Sequence, residues 1–446
     1  MRLIGRRWRA CVSGWCRLMP VKVLLVVPAV VAGVITGAMA HVLKRLVALV
    51  SDGVTGGLDA ERCNIVFLLL PVAGIVLAGL LQRYVFRREL YHGVDRLDRS
   101  LAARRYRLPF ELTFAPVLAS SVTLGFGGSA GSEGPIAYTG AAIGSNLGRA
   151  LGLSPSQMRV MIACGASAGI AGIFKAPVGG ALFSFEVLCV GLSAPAIVAV
   201  FAASVSAALT AYLLSGRTPD ISFSGIEAVT PDCYLWIVLL GVACGVYSAY
   251  YSHIMRVMTR LYAGFADGWI KNVIAGGVIA VAVFMFPALY GEGYGFMAKV
   301  LGNGESFSAY SMFAADGSGA LTPLLMAAGI LAVKAFATSS TNSGGGVAGD
   351  FAPTLFAGCI AGYLFASALN EAFGLSLPVA DFAFMGMGAV MAGAIQAPLM
   401  AMFLTVEMAT GGYSMLLPVA VASTVSYCVV RVLHVCFGHK FRWVRS

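Results

Sequence analysis

The sequence predicts an all-α integral membrane protein made of two related halves that cross the membrane in opposite directions. Three observations carry that prediction: extreme apolarity, a repeated glycine-proline signature, and basic residues confined to a few loops. Of the 446 residues, 59% are hydrophobic and 11% are charged, where soluble domains carry roughly 25% charged residues. Mean hydropathy is +0.85. The 30 residues from Val187 to Gly216 include no Asp, Glu, Lys or Arg, and roughly 20 apolar residues suffice to cross a hydrocarbon core.

The repeat is read at two offsets. Gly127-Gly128-Ser129-Ala130-Gly131-Ser132-Glu133-Gly134-Pro135 returns 218 residues later as Gly345-Gly346-Val347-Ala348-Gly349-Asp350-Phe351-Ala352-Pro353. Gly140 and Gly144 continue the phase onto Gly358 and Gly362. Gly165 to Glu186 matches Gly386 to Glu407 at an offset of 221, with Ala176-Pro177 on Ala397-Pro398 and a Glu nine residues after each Pro. Apolar halves interrupted by Gly and Pro at corresponding positions are the pattern of a transporter built on broken helices.

Net charge is +10. In a soluble chain this would suggest nucleic acid, but here the cations cluster. The clusters are Arg2 to Lys22, Arg83 to Arg107, Arg256 to Lys271, and Arg431 to Arg445. By the positive-inside rule all four are cytoplasmic, and the cation-poor stretches 51–62, 217–232 and 289–318 are external. Both termini are then inside, and each half crosses an odd number of times, as an inverted repeat requires.

The elements follow in order. A basic tail, 1–19, precedes the first repeat, 20–216. A linker, 217–231, leads to the second repeat, 232–436, and a short tail, 437–446, closes a single transmembrane domain with no soluble module. No small-residue cleavage site follows the first apolar stretch, so 20–50 is expected to be a retained span. Long spans are also expected at 63–85, 193–216, 233–263, 270–290, 320–338 and 414–436. The segments 112–128, 134–150, 158–174, 176–190, 351–371, 382–396 and 398–410 are too short or too interrupted to cross alone. Backbone breaks at membrane depth must be satisfied inside the protein, so the glycine runs at 125–134 and 344–349 are expected to meet in the interior.

The polar inventory within apolar sequence is Glu133, Lys175, Glu186, Lys334, Asp350 and Glu407. A charge there is costly and marks a candidate site. There is no catalytic triad pattern, metal-ligand spacing or phosphate-binding loop, so an enzyme is not expected, nor a cofactor or metal. The ten cysteines are scattered and are expected to be buried free thiols. Glu133 lies between Gly131-Ser132 and Gly134-Pro135, where Pro suits a helix's first turn. A carboxylate at a helix N-terminus is stabilised by backbone N–H groups and the dipole. A mobile anion is stabilised by the same features, so the two compete, and protonating Glu133 would vacate the site. Phe351 replaces Glu in the second copy, leaving amides without a competing carboxylate. Asp350 is expected to cap its own helix. Glu186 and Glu407 are expected to lock helix packing, and Lys175 and Lys334 to pair with acids or reach an interface.

These residues resemble the CLC family of chloride channels and proton/chloride exchangers. Gly131-Ser132-Glu133-Gly134-Pro135 resembles that family's G-R-E-G-P, with Ser132 in place of Arg. Phe174-Lys175-Ala176-Pro177 through Glu186-Val187 resembles F-x-A-P…L-F-x-x-E. Gly349-Asp350-Phe351-Ala352-Pro353 resembles G-[IV]-F-A-P, and Ala397-Pro398 through Glu407-Met408 resembles A-P…E-M-T. The resemblance implies one anion pathway per subunit of a homodimer in the cell's inner membrane. Glu133 would be the gating glutamate, and the backbone around Gly131, Ser132, Gly134, Gly349, Asp350, Phe351 and Ala352 would hold chloride or a similar anion. At the family's central Ser this chain has His92, and near its C-terminal Tyr the closest aromatic is Phe441. Val187, beside Glu186, stands where exchangers usually carry a proton-relay Glu. That favours a channel-like or uncoupled pathway, with a proton/chloride antiporter using another inner proton route as the alternative. The repeated glycine-rich helix starts argue against a cation-coupled solute transporter.

Overall fold

The computed structural model describes residues 21–56, 68–90, 93–216, 233–302 and 321–436. Among them, regular structure is helical. Two compact units are present, each assembled from three separate stretches.

The first unit takes residues up to Arg45, then His92–Leu118 and Glu133–Thr218. It holds most of helix α1 (Val21–Thr55), with α3 (Gly93–Ala102), α5 (Glu133–Ala150), α6 (Pro155–Phe174), α7 (Pro177–Glu186) and α8 (Ala194–Ser215). The second unit takes Leu46–Tyr91, Ala119–Ser132 and everything from Pro219. It holds α2 (Leu70–Leu80, continued by a π-turn at Leu81–Val85), most of α4 (Ala115–Gly125), α9 (Tyr234–Ala263), α10 (Gly268–Met285) and α11 (Tyr294–Gly302). It also holds α12 (Leu321–Ser343), α13 (Phe351–Phe373), α14 (Val379–Ile395), α15 (Pro398–Glu407) and α16 (Leu416–Cys436).

The centre of each unit is one helix pair in intimate contact, and the two pairs correspond through the repeat. In the first unit α5 lies against α6. A Cβ built on Gly140 would stand 2.0 Å from the Gly165 carbonyl oxygen, and one on Gly144 2.0 Å from that of Met161. In the second unit α13 lies against α14. A Cβ on Gly358 would stand 2.2 Å from the Gly386 oxygen, and one on Gly362 2.0 Å from that of Phe382. Only glycine permits backbones this close, and such approach is how helices pack without help from water.

Helix ends follow their local sequence. Ser154 and Gln157 form a reciprocal capping box before α6, with Ser154 N–H donating to Gln157 Oε1 at 3.0 Å, which satisfies amides that the first turn cannot. The helix stops at Lys175, φ 56°, and its counterpart α14 stops at Gln396, φ 60°. In both cases a left-handed residue is followed by Ala-Pro. Pro177 and Pro398 then open 10-residue helices, each ending on its Glu, since Pro suits the first helical position, where its missing N–H would have no acceptor.

Several sequence expectations need correction. Pro155–Phe174 and Phe351–Phe373, read as too interrupted, are continuous helices of 20 and 23 residues, long and apolar enough to cross a membrane. Their glycines face a neighbouring helix and do not break their own. The span expected at 320–338 runs on to Ser343. At its polar end the Ser339 and Thr341 hydroxyls donate back to the Phe336 and Ala337 carbonyls, which leaves these buried hydroxyls bonded within their own helix. Within the expected 63–85 span the described helix starts at Leu70. Helices α3 and α11 occupy segments read as loops. Among the described cysteines, Cys189, Cys428 and Cys436 are exposed, Cys233 is half-buried, and Cys164, Cys244 and Cys359 are buried.

Candidate functional site: the paired glycine loops

The loops after α4 and α12 both lie in the second unit, and they are built alike. Gly127 (φ 92°) and Gly345 (φ 114°), matched in the repeat, take backbone conformations that side chains resist, which turns the chain sharply out of each helix. The next amide folds back in both: Gly128 N–H donates to the Thr123 carbonyl at 2.9 Å and Gly346 N–H to that of Thr341 at 3.0 Å.

The loops then exchange bonds. Ser129 N–H donates to Thr341 Oγ1 at 3.1 Å, and Val347 N–H donates to Thr123 Oγ1 at 3.1 Å. Thr123 and Thr341 are themselves related by the 218-residue offset, so each half supplies the acceptor for the other. Gly131 and Gly349 close the arrangement as an antiparallel pair, with N–H to O distances of 2.9 and 2.6 Å. The glycine runs therefore meet in the interior as the sequence suggests, and all residues of 127–132 and 344–349 are buried. Buried backbone N–H groups require partners, and here the ends of the preceding helices, through Thr123 and Thr341, and the Gly131–Gly349 bridge supply them.

Polar side chains brace this core. Lys334 is fully buried; its ammonium donates to Ser129 Oγ at 3.0 Å and sits 4.6 Å from the Phe356 ring centroid, a stabilising placement for a desolvated cation. Of the two placements expected for it, pairing with acids or reaching an interface, full burial excludes the second. Gln82 Nε2 donates to the Gly345 carbonyl at 2.7 Å while its Oε1 accepts from Leu90 N–H at 2.7 Å. Asn272, with its amide nitrogen turned toward the carbonyls, donates to Gly344 at 2.7 Å and Gly268 at 2.8 Å.

Beyond the bridge, each strand runs two residues into a helix: Gly131 leads to Glu133, first residue of α5, and Gly349 leads to Phe351, first residue of α13. The first N–H groups of a helix have no acceptor within it, and together with the dipole they form an anion-binding surface. Glu133 is fully buried, as are Gly134, Phe351 and Ala352. Asp350 occupies the cap position of α13 but makes no capping bond; its carboxylate accepts from Asn342 Nδ2. The expected self-cap is replaced by a bond to the preceding helix. Ser132, the matched position, is anchored too: its N–H donates to Glu292 Oε1 at 2.9 Å and its hydroxyl at 2.5 Å.

The remaining sequence candidates lie elsewhere. Glu186 ends α7 and Val187 caps it, with its N–H on the Phe183 carbonyl at 2.9 Å. Glu407 ends α15 and accepts from the Tyr413 hydroxyl at 3.1 Å. Lys175 is buried, its ammonium 5.6 Å from the Tyr212 ring. His92 and Phe441 fall outside the described residues. Sequence reasoning missed Thr123 and Thr341, though the repeat pairs them, and missed Glu292 and the buried Asp381. Asp381 sits in the first turn of α14, where the helix dipole favours an acid.

Comparison with known proteins agrees with this architecture. The sequence profile described as "Voltage gated chloride channel" matches residues 72–431. The H(+)/Cl(-) exchange transporter ClcA of Salmonella paratyphi A is 28% identical over 414 residues, covering 88% of this chain and 82% of the relative. The voltage-gated ClC-type chloride channel ClcB of Escherichia coli is 28% identical over 386 residues, covering 82% and 84%. A crystal structure of a slow cyanobacterial Cl-/H+ antiporter superposes with a TM-score of 0.76 at 22% identity, covering 93% of this chain and 95% of that one. That structure shares the fold. A profile match across most of the chain, on the motifs that line the paired loops, means that this protein belongs to the voltage-gated chloride channel, or CLC, family.

Proposed function

We propose that this multi-pass membrane protein carries chloride, or a similar small anion, across a bilayer through a glutamate-gated pathway. The observation that supports this most strongly is the reciprocal Gly131–Gly349 pairing. It ties the two glycine loops together, each two residues before a helix start. Gly131 and Gly349 use their N–H groups on each other and so shape the site, while backbone amides at Ser132, Gly134, Asp350, Phe351 and Ala352 would stabilise an anion. Glu133 would compete for the same place when ionised and yield it when protonated. In the second copy Phe351 stands at the matched position, so that helix start would offer its amides with no competing carboxylate of its own.

The relatives are named both as channels and as proton-coupled exchangers. Val187, in place of a relay carboxylate, supports channel-like or uncoupled transport here. The exchanger reading keeps Glu186 as an inner proton carrier, because it lies half-buried at the end of α7, and His92 as another. We further propose a homodimer in the cell's inner membrane with both termini cytoplasmic, and no catalytic role.

Purified protein in liposomes, with chloride efflux and internal pH recorded together, tests the proposal. Chloride flux without coupled proton movement supports the uncoupled reading. Uphill proton movement driven by a chloride gradient would establish the exchanger. Absence of anion flux under both conditions would remove the transport reading altogether.

A further inference from the structure

We infer that Glu292 is a second anion-competing carboxylate, held on the Ser132 amide. The inference rests on the proposed anion pathway and adds a residue to it.

Glu292 belongs to a short segment between α10 and α11, 160 residues from Ser132 in sequence. Its position is tightly defined. It stands between Gly291 (φ 65°) and Gly293 (φ 82°), so the chain kinks on both sides of it. Before it, the Tyr290 hydroxyl donates to the Gly125 carbonyl at 2.8 Å, and the Tyr290 ring abuts Gly127, where an added Cβ would lie 2.4 Å from Cε2. After it, Gly293 packs on Phe356, with an added Cβ 2.5 Å from Cδ2. The segment is therefore anchored to the first glycine loop on one side and to α13 on the other. Between those anchors the half-buried carboxylate reaches Ser132 and takes both its N–H and its hydroxyl.

This is how a bound anion would be held. Ser132 is the residue immediately before Glu133, and its amide is among those proposed to stabilise the transported ion. A carboxylate oxygen 2.9 Å from that N–H occupies one of the ion's own hydrogen bonds and adds a negative charge. The matched position in the second copy behaves differently: Asp350 turns its carboxylate back to Asn342 on the preceding helix. The family motif carries Arg where this chain carries Ser132, so a cation at this position is replaced by a serine that binds an acid. Lys334, on Ser129 Oγ in the same loop and over the same Phe356 ring that meets Gly293, supplies positive charge nearby. The consequence is a lower anion affinity at this amide than the backbone alone would give, and faster release.

The test is chloride binding by titration calorimetry on the purified full-length protein at one fixed pH, in wild type and in Glu292→Ala, Glu292→Gln and Ser132→Ala. A hydrogen bond to a charged group is strong enough that freeing the amide in Glu292→Ala is expected to tighten chloride binding by about tenfold. Glu292→Gln keeps the side chain's shape and removes its charge; it is expected to tighten binding about threefold, an intermediate change on the same scale. Ser132→Ala removes only the hydroxyl tether and is expected to tighten it less. If Glu292→Ala does not give a monodisperse protein, Glu292→Gln decides alone. Should wild type bind chloride and every variant bind equally or more weakly, Glu292 is a structural strap and the inference is overturned. Should neither wild type nor any variant bind chloride or bromide, the anion pathway itself fails, and this inference with it.

Discussion

Replacing Thr341 by Val probes the exchange of bonds between the two glycine loops with little change of shape. The Thr341 hydroxyl donates to the Ala337 carbonyl at 2.9 Å and accepts from Ser129 N–H at 3.1 Å. Valine fills the same volume but leaves the Ser129 amide without its acceptor in a fully buried loop. The Ala337 carbonyl keeps its role in the α12 ladder, so the dominant cost is one buried N–H, about 1–3 kcal/mol. Thr338 provides the control. It is equally buried on the same helix, and its hydroxyl has no partner among the described residues. Thr338→Val is therefore expected to be neutral or stabilising by up to about 1 kcal/mol. Thr123→Val removes the mirror bond to Val347 and should resemble Thr341→Val. Because both bonds stabilise one bridged structure, the double variant should be non-additive by at least about 0.5 kcal/mol. Thermal unfolding in detergent, followed by loss of the monodisperse peak at one heating rate, reads the order. Thr341→Val melting with wild type, or Thr338→Val falling as far as Thr341→Val, would refute the reasoning.

Two further outcomes follow from the packing. Gly358→Ala places a Cβ 2.2 Å from the Gly386 carbonyl oxygen; α13 and α14 must separate, and little folded protein should be recovered, whereas Gly277→Ala, with nothing within 4 Å, should express like wild type. Gln82→Leu deprives Leu90 N–H and the Gly345 carbonyl of partners. It is expected to cost about 2–4 kcal/mol from two buried groups and to lower the apparent melting temperature accordingly; an unchanged melt would show that these groups find other partners.

Much of this site was legible in the sequence because glycine and proline report backbone geometry directly. Gly127 and Gly345 are identical because both must take a left-handed conformation, and Gly140, Gly144, Gly358 and Gly362 because a helix lies against each. The change of offset from 218 to 221 also has a physical origin. Helix α13 is five residues longer than α5, 23 against 18, α14 is three shorter than α6, 17 against 20, and the connection between the two helices grows from four residues (151–154) to five (374–378), which together make up the three. The added length lies beyond the helix starts, so the paired glycine loops keep their register. What sequence did not reveal were contacts made by side chains with no local signature. Glu292 lies in a stretch read as loop, and nothing near it announces a bond to Ser132. Lys334 was expected to pair with acids or reach an interface because an isolated lysine is costly at membrane depth; the Ser129 hydroxyl and the Phe356 ring come to it only through the tertiary structure. Thr123 and Thr341 were visible in the repeat but look like ordinary helix residues until the loops are folded against one another.

The central claim is that the paired loops form an anion site that Glu133 controls. Chloride efflux from liposomes, measured across a pH series for wild type and Glu133→Gln, tests it most directly. Wild-type flux should rise as pH falls, because protonation withdraws the competing carboxylate, and Glu133→Gln should pass chloride at every pH with no such dependence. An unchanged pH profile in Glu133→Gln would contradict the account.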